Sequence, residues 1–294
     1  MNFKQRLVDV FMALERNMAQ LEAYRKQQSE DELKFKERMG KIRHKIAVIS
    51  GKGGVGKSTI TVNLATAFAL KKYRVGVLDA DIHGPSVPRL LGLEGKQVKS
   101  TPLGTLPVNG PLNMKVMSID FFLAEQTPTI WRGPLKMRAI RQFLGDIFWG
   151  ELDFLFIDLP PGTGDEPLSI AQLLPDLDGV VIVTMPSELS SSIVKKAVTF
   201  AETLKLPIIG VVENMSGFVC PHCNEKIEIF KAGGGKKMAE EQGVPFLGSI
   251  PLDPKVGADS DKGAPFIISH KDSAASVAFM EIVSKVEAYI KNKQ

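Results

Sequence analysis

The stretch Lys45–Thr59 reads KIAVISGKGGVGKST. A short β-branched run, Lys45–Ser50, breaks into a glycine-rich turn and then into the apolar helical run Lys57–Leu70. Gly51, Gly56, Lys57 and Ser58 satisfy the pattern G-x-x-x-x-G-K-[ST], in the strand–loop–helix setting that gives the pattern meaning. Glycines let backbone N–H groups curl around phosphates without Cβ clashes, and a helix N-terminus adds a favourable dipole. In such a loop Lys57 reaches the β- and γ-phosphates and the Ser58 hydroxyl ligates Mg²⁺. The residues Gly51, Lys52, Gly53, Gly54, Val55, Gly56, Lys57, Ser58 and Thr59 are therefore predicted to cradle a nucleoside triphosphate.

Outward from this loop the chain alternates short apolar runs with helical stretches. Predicted strands are Lys45–Ser50, Arg74–Ala80, Met114–Ile119, Asp153–Leu159, Val180–Met185, Ile208–Glu213 and Phe246–Ile250. Several are nearly continuous apolar runs, as strands buried on both faces of a parallel sheet must be. Predicted helices are Lys57–Leu70, Leu135–Phe148, Leu189–Leu204, Lys236–Gln242 and Ser273–Ile290. The alternation predicts an α/β fold with a doubly wound, mostly parallel sheet. Gly84–Pro134, rich in Gly and Pro, reads as surface loops and short strands. The first forty residues differ: Phe3, Leu7, Val10, Leu14, Leu21 and Tyr24 recur at heptad spacing, and the segment turns polar from Gln27. The expected organisation is a helical extension over 1–41 and a nucleotide-binding domain over 42–294.

At 294 residues, 44% hydrophobic and 24% charged, the chain has the composition of a soluble globular protein. Its net charge of +4 is spread out, with no Lys/Arg run dense enough to predict nucleic acid as a partner. No apolar segment is long enough to span a membrane. Charges at Lys4, Arg6, Asp9, Glu15 and Arg16 argue against a secretory or transit signal. The two cysteines, Cys220 and Cys223, form no disulfide framework, so the expected compartment is the cytoplasm and the expected chemistry metal or redox.

Asp158 ends a buried apolar strand, where a carboxylate usually holds the Mg²⁺ shell, often through water. Asp79 and Asp81 end Arg74–Ala80 in the same way. The motif Cys220-Pro221-His222-Cys223 offers two thiolates where zinc or a cubane cluster needs four ligands. A two-fold axis through the site would supply the other pair. Spacing alone leaves zinc and [4Fe–4S] both open.

Beyond the minimal pattern, the loop form Gly-Lys-Gly-Gly-Val-Gly-Lys-Ser resembles the deviant Walker A motif. That resemblance implies that Lys52 crosses a dimer interface to the partner's phosphates, and that Asp81 positions or deprotonates the attacking water. The runs Asp79–Pro88 (DADIHGPSVP), Trp131–Pro134 (WRGP), Phe156–Ser169 (FIDLPPGTGDEPLS), Glu213–Cys223 (ENMSGFVCPHC) and Phe246–Pro254 (FLGSIPLDP) resemble the Mrp/ApbC-type iron–sulfur cluster carriers. The likeness runs from about Ile42 to the C-terminus. It implies an ATPase that works as a homodimer, holding a labile [4Fe–4S] cluster between two Cys220/Cys223 pairs and delivering it to apo iron–sulfur proteins. It also implies that Asn214 reads adenine and that Pro251 and Asp253 lie against the base. Lys52, Lys57 and Asp81 are then the catalytic residues, with ATP, Mg²⁺ and the cluster bound.

Three rival readings share parts of this pattern. A partitioning or division-site ATPase has the same loop and dimer but no need of Cys220 and Cys223. An ATP-driven reductase like the nitrogenase iron protein draws its cysteines from two separate loops. A zinc-stapled dimeric ATPase would use the same pair without any cluster.

Overall fold

The computed structural model describes residues 3–102, 104–122, 146–174, 176–186, 190–219, 223, 225–228 and 233–293. The strands are β1 Ile42–Ile49, β2 Val75–Asp79, β3 Lys99–Thr101, β4 Gly104–Leu106, β5 Val108–Asn109, β6 Lys115–Ser118, β7 Leu152–Asp158, β8 Gly179–Thr184, β9 Ile208–Val219, β10 Lys226–Ile227 and β11 Phe246–Leu252. The helices are α1 Phe3–Gly40, α2 Lys57–Leu70, α3 Val87–Leu90, α4 Asp165–Leu173, α5 Ser190–Thr203, α6 Gly234–Glu241, α7 Pro254–Asp261, α8 Phe266–Ser269 and α9 Ala274–Lys293.

One sheet runs in the order β10-β9-β8-β1-β7-β2-β6-β5, with β11 also paired to β9. Its central pairs are parallel, and only the short strands β5 and β10 pair antiparallel. Every residue of β2 and β8 is buried, which is why these strands read as unbroken apolar runs. Helices α2 and α9 pack on each other and on the sheet, while α5 and α6 form a second pair over β8 and β9. This is the expected doubly wound α/β architecture. In such sheets ligands bind beyond the carboxyl ends of the strands.

Helix α2 is buried on nearly every side, so its apolar residues do not keep to one stripe. Phe68 locks it to the sheet, with ring centroids 4.5 Å from Phe154 and 5.2 Å from Phe156 of β7. Removing such a buried ring costs roughly 3–5 kcal/mol. The contact joins the last turn of α2 to β7, the helix and strand whose other ends carry Lys57 and Asp158.

Helix α1 runs unbroken through the polar segment after Gln27 for 38 residues, with Met39 buried in the core and Phe35 packed against it. Beyond the N-terminal helix, three local differences from the sequence reading lie in β9, α4 and α7. Strand β9 runs past the expected end at Glu213 to Val219, since it stays paired with β11 as far as Leu252↔Phe218, across register shifts. Helix α4 follows a glycine-rich segment that carried no apolar period. Helix α7 begins where the Asp253 carboxylate accepts from Lys255 N–H at 2.9 Å. The predicted helix Leu135–Phe148 and the run Trp131–Pro134 lie almost wholly or wholly outside the described residues.

Candidate functional site

Strand β1 delivers the chain into the glycine loop, where the Ser50 hydroxyl donates to the Lys52 carbonyl at 3.0 Å. Gly56 precedes α2 at φ +80°, in the left-handed region that favours glycine. A Cβ there would sit 2.3 Å from Asn214 Nδ2. One at Gly51 would sit 2.5 Å from Ile193 Cγ2 on α5. No described side chain caps the first turn of α2. The loop is thus a backbone cradle closed by two neighbours, aimed by an uncapped helix N-terminus that favours an anion.

Lys57 and Asp158 meet at the floor of this cradle. Lys57 Nζ lies 2.7 Å from Asp158 Oδ1, with side chains 6% and 0% exposed. The Ser58 hydroxyl donates to Asp158 Oδ2 at 2.5 Å, and Thr61 Oγ1 lies 2.8 Å from Oδ1. Ser58 and Asp158 are hard oxygen donors already side by side, which suits Mg²⁺ with most of its water shell retained. Lys57, the loop N–H groups and the helix end suit a polyphosphate. The residues present therefore fit both groups.

Asp79 lies opposite Asp158 in the β2–β7 register. Its carboxylate accepts from the backbone N–H groups of Asp81, Ser86 and Val87 at 3.2, 3.0 and 3.1 Å. Burial pushes its carboxyl above the usual carboxylate range, the Asp158 charge adds to the push, and the N–H donors and Lys57 oppose it. Asp79 is thus a fixed anchor for the 81–87 segment. Asp81, two residues past β2 and partly exposed, accepts from Gly84 N–H at 3.1 Å. Its carboxylate is the more accessible member of the pair.

On the other side of the loop, Asn214 Nδ2 donates to the Val55 carbonyl at 2.9 Å. Lys52 and Thr59 are half-buried on the loop, Gly53 and Gly54 are exposed, and Val55 is buried. Pro251 lies within β11, and Asp253 immediately beyond it caps α7. Cys223 is exposed, between the paired strands β9 and β10. Cys220 lies outside the described residues, as does His222. Among the described residues, no group of three or more His, Cys, Asp or Glu is arranged to hold a metal ion. None of the described helices is long and apolar enough to cross a membrane.

The family described as ParA, NUBPL iron-transfer P-loop NTPase, matches residues 41–287. The chain belongs to this family. Two relatives named iron-sulfur cluster carrier protein are each 53% identical to this NUBPL-type chain. That of Methanocaldococcus jannaschii aligns over 90% of this chain and 91% of its own length. That of Saccharolobus solfataricus aligns over 90% of this chain and 89% of its own. A nucleotide-binding protein from Archaeoglobus fulgidus, solved in complex with ADP, superposes with a TM-score of 0.72 at 46% identity. That match covers 80% of this chain and 92% of the other. The MinD cell division protein of Aquifex aeolicus shares the fold alone, at 20% identity and a TM-score of 0.59.

Thr61, beside the site, and Glu213, next to Asn214 but outside the site, both escaped the sequence reading. Thr61 touches Asp158 because it lies one helical turn after Lys57, a spacing that was available in the sequence. Glu213 is fully buried midway along β9. A lone acid closing an apolar strand was its only signal.

Proposed function

We propose that this chain is an ATP-binding and ATP-hydrolysing carrier that holds a [4Fe–4S] cluster as cargo and passes it to apo iron–sulfur proteins. The cargo sits across a homodimer, between the Cys220/Cys223 pairs of two copies. The observation that supports the reading is that the cysteine motif directly follows β9 in sequence. Asn214 of that strand is hydrogen-bonded to the phosphate loop. A partitioning ATPase has no use for thiols at that position. Residues 1–41 are read as a helical extension and 42–294 as the carrier domain, working in the cytoplasm.

In this reading Lys57 leaves Asp158 for the β- and γ-phosphates, and the first turn of α2 donates N–H groups to them. Ser58 and Asp158 would hold Mg²⁺, which supplies charge neutralisation on the phosphates when bound. Asp81 orients a water against the γ-phosphorus and takes its proton. The P–O bond to the β-phosphate breaks, giving ADP and phosphate. Lys52, reaching from the partner protomer, stabilises the charge that develops on the bridging oxygen. Asn214, Pro251 and Asp253 line the adenine end.

Anaerobic reconstitution with iron and sulfide tests the cargo. The protein should gain about four irons per dimer, show a cubane absorption band, and yield the cluster to an apo-acceptor. Cys220→Ser should abolish uptake. Tight zinc binding with no iron uptake overturns the carrier reading in favour of a zinc-stapled dimer.

A further inference from the structure

Glu213 is a carboxylate with no exposed surface, and the chemistry proposed above does not use it. Its Oε1 accepts from the Ser216 hydroxyl, from Gly233 N–H at 3.2 Å and from the Ser249 hydroxyl at 3.4 Å. Its Oε2 accepts from Gly235 N–H. Ser216 lies before the cysteine segment, Gly233 and Gly235 lie after it at the start of α6, and Ser249 lies on the neighbouring β11. One side chain therefore fastens both ends of the segment that carries Cys220 and Cys223. The ladder between β9 and β10 adds two residue pairs, Val219↔Lys226 and Phe218↔Ile227.

The next residue, Asn214, donates to Val55 O of the phosphate loop and fits there because Gly56 has no Cβ. Consecutive strand residues point to opposite faces. The middle of β9 thus grips the nucleotide loop on one face and the base of the cysteine hairpin on the other. Immediately after it Met215 adopts φ +57°, within the irregularity where β9 shifts register against β11 between Asn214 and Phe218.

We propose that Glu213 is a positioning residue that transmits the state of the phosphate loop to the cysteine hairpin. The proposal rests on the reading of that hairpin as the cargo site. A displacement of Asn214 when the loop takes a nucleotide moves the adjoining backbone, and Glu213 carries the motion to Ser216 and Gly233–Gly235. The role requires a full acceptor. In Glu213→Gln the amide NH₂ must face at least one backbone N–H, leaving a buried donor unpaired.

The test is hydrogen–deuterium exchange on the full-length, metal-free protein with and without ADP. In the wild type ADP should slow exchange at the phosphate loop and also at 216–219 and 233–235, the latter by about fivefold or more. In Glu213→Gln the loop should keep its protection, with ADP affinity within about threefold of wild type, while the hairpin response falls to about twofold or less. A packing role alone would raise exchange equally with and without ADP. An unaltered ADP response in Glu213→Gln, or none in the wild type, overturns the proposal. If Glu213→Gln does not fold, Ser216→Ala removes one donor and keeps the carboxylate; it should lose about half of the response. A full response there overturns the proposal equally. Cluster loading is measured in parallel. A wild type that takes no iron yet shows the Glu213-dependent ADP response defeats the carrier reading and leaves this coupling standing.

Discussion

Replacing Asp158 by Asn perturbs the floor of the site with minimal change of shape. Lys57 Nζ and Asp158 Oδ1 are 2.7 Å apart with side chains 6% and 0% exposed, so the pair is shielded from screening. At an effective dielectric of about 20 the gross attraction is roughly 6 kcal/mol. Desolvation offsets much of it, but stranding one buried partner costs about 3–5 kcal/mol. Asn keeps an acceptor for Ser58 or Thr61, which places the loss near the lower end, about 3 kcal/mol. For a domain of this size that is a fall in Tm of roughly 6–12 °C. Adding ADP in EDTA should restore more of the Tm in the variant than it adds to wild type, because the phosphates give stranded Lys57 a new anion. Adding Mg²⁺ should then raise ADP affinity in wild type and leave the variant unchanged, since the metal loses its carboxylate. Scanning calorimetry and ADP titration, each with Mg²⁺ or EDTA, read both effects. A variant within about 2 °C of wild type without nucleotide refutes the buried-pair account. An intact Mg²⁺ response refutes Asp158 as the metal's carboxylate.

Two further outcomes are expected. Asp81→Ala should abolish ATP hydrolysis while ADP titration gives an affinity close to wild type; unchanged turnover removes Asp81 from the chemistry. Glu287, hydrogen-bonded by Lys71 at 2.5 Å and Tyr73 at 2.6 Å, has its carboxyl lowered from 4.5 to about 2 by those bonds. Its stabilising effect is therefore complete above the unfolded value near 4.5 and is lost as pH falls from there toward about 2. With Lys71 30% exposed and screening allowed for, the loss is about 1–2 kcal/mol. Urea midpoints should fall over that window in wild type and much less in Glu287→Gln; parallel pH profiles would dismiss the pair.

The sheet was legible because its strands are buried on both faces, which forces unbroken apolar runs such as Gly179–Thr184. The phosphate loop was legible because its chemistry needs glycine and lysine at fixed spacing. What escaped was structure decided by distant partners. The stretch of β9 beyond Glu213 becomes strand only because β11 lies beside it. The short helix α3 starts where Asp79 accepts from Val87 N–H, a contact that no period announces. Glu213 finds its partners at Ser216, Gly233, Gly235 and Ser249, and nothing local predicts such a set. Asn214 was expected to face a base, while in the structure its amide donates to the Val55 carbonyl.

The cradle is assembled from pieces far apart along the chain. Ser58 meets Asp158 across 100 residues, and Val55 meets Asn214 across 159. A chain emerging from the ribosome makes its phosphate loop early, but the floor of that loop only after β7 and its wall only after β9. Closing such long loops comes late in folding, because their entropy must be overcome before the contacts form. Nucleotide therefore meets its full set of cradle contacts only once β9 has joined the sheet. There it stabilises the fold by mass action, so retention on a nucleotide resin favours molecules folded through β9.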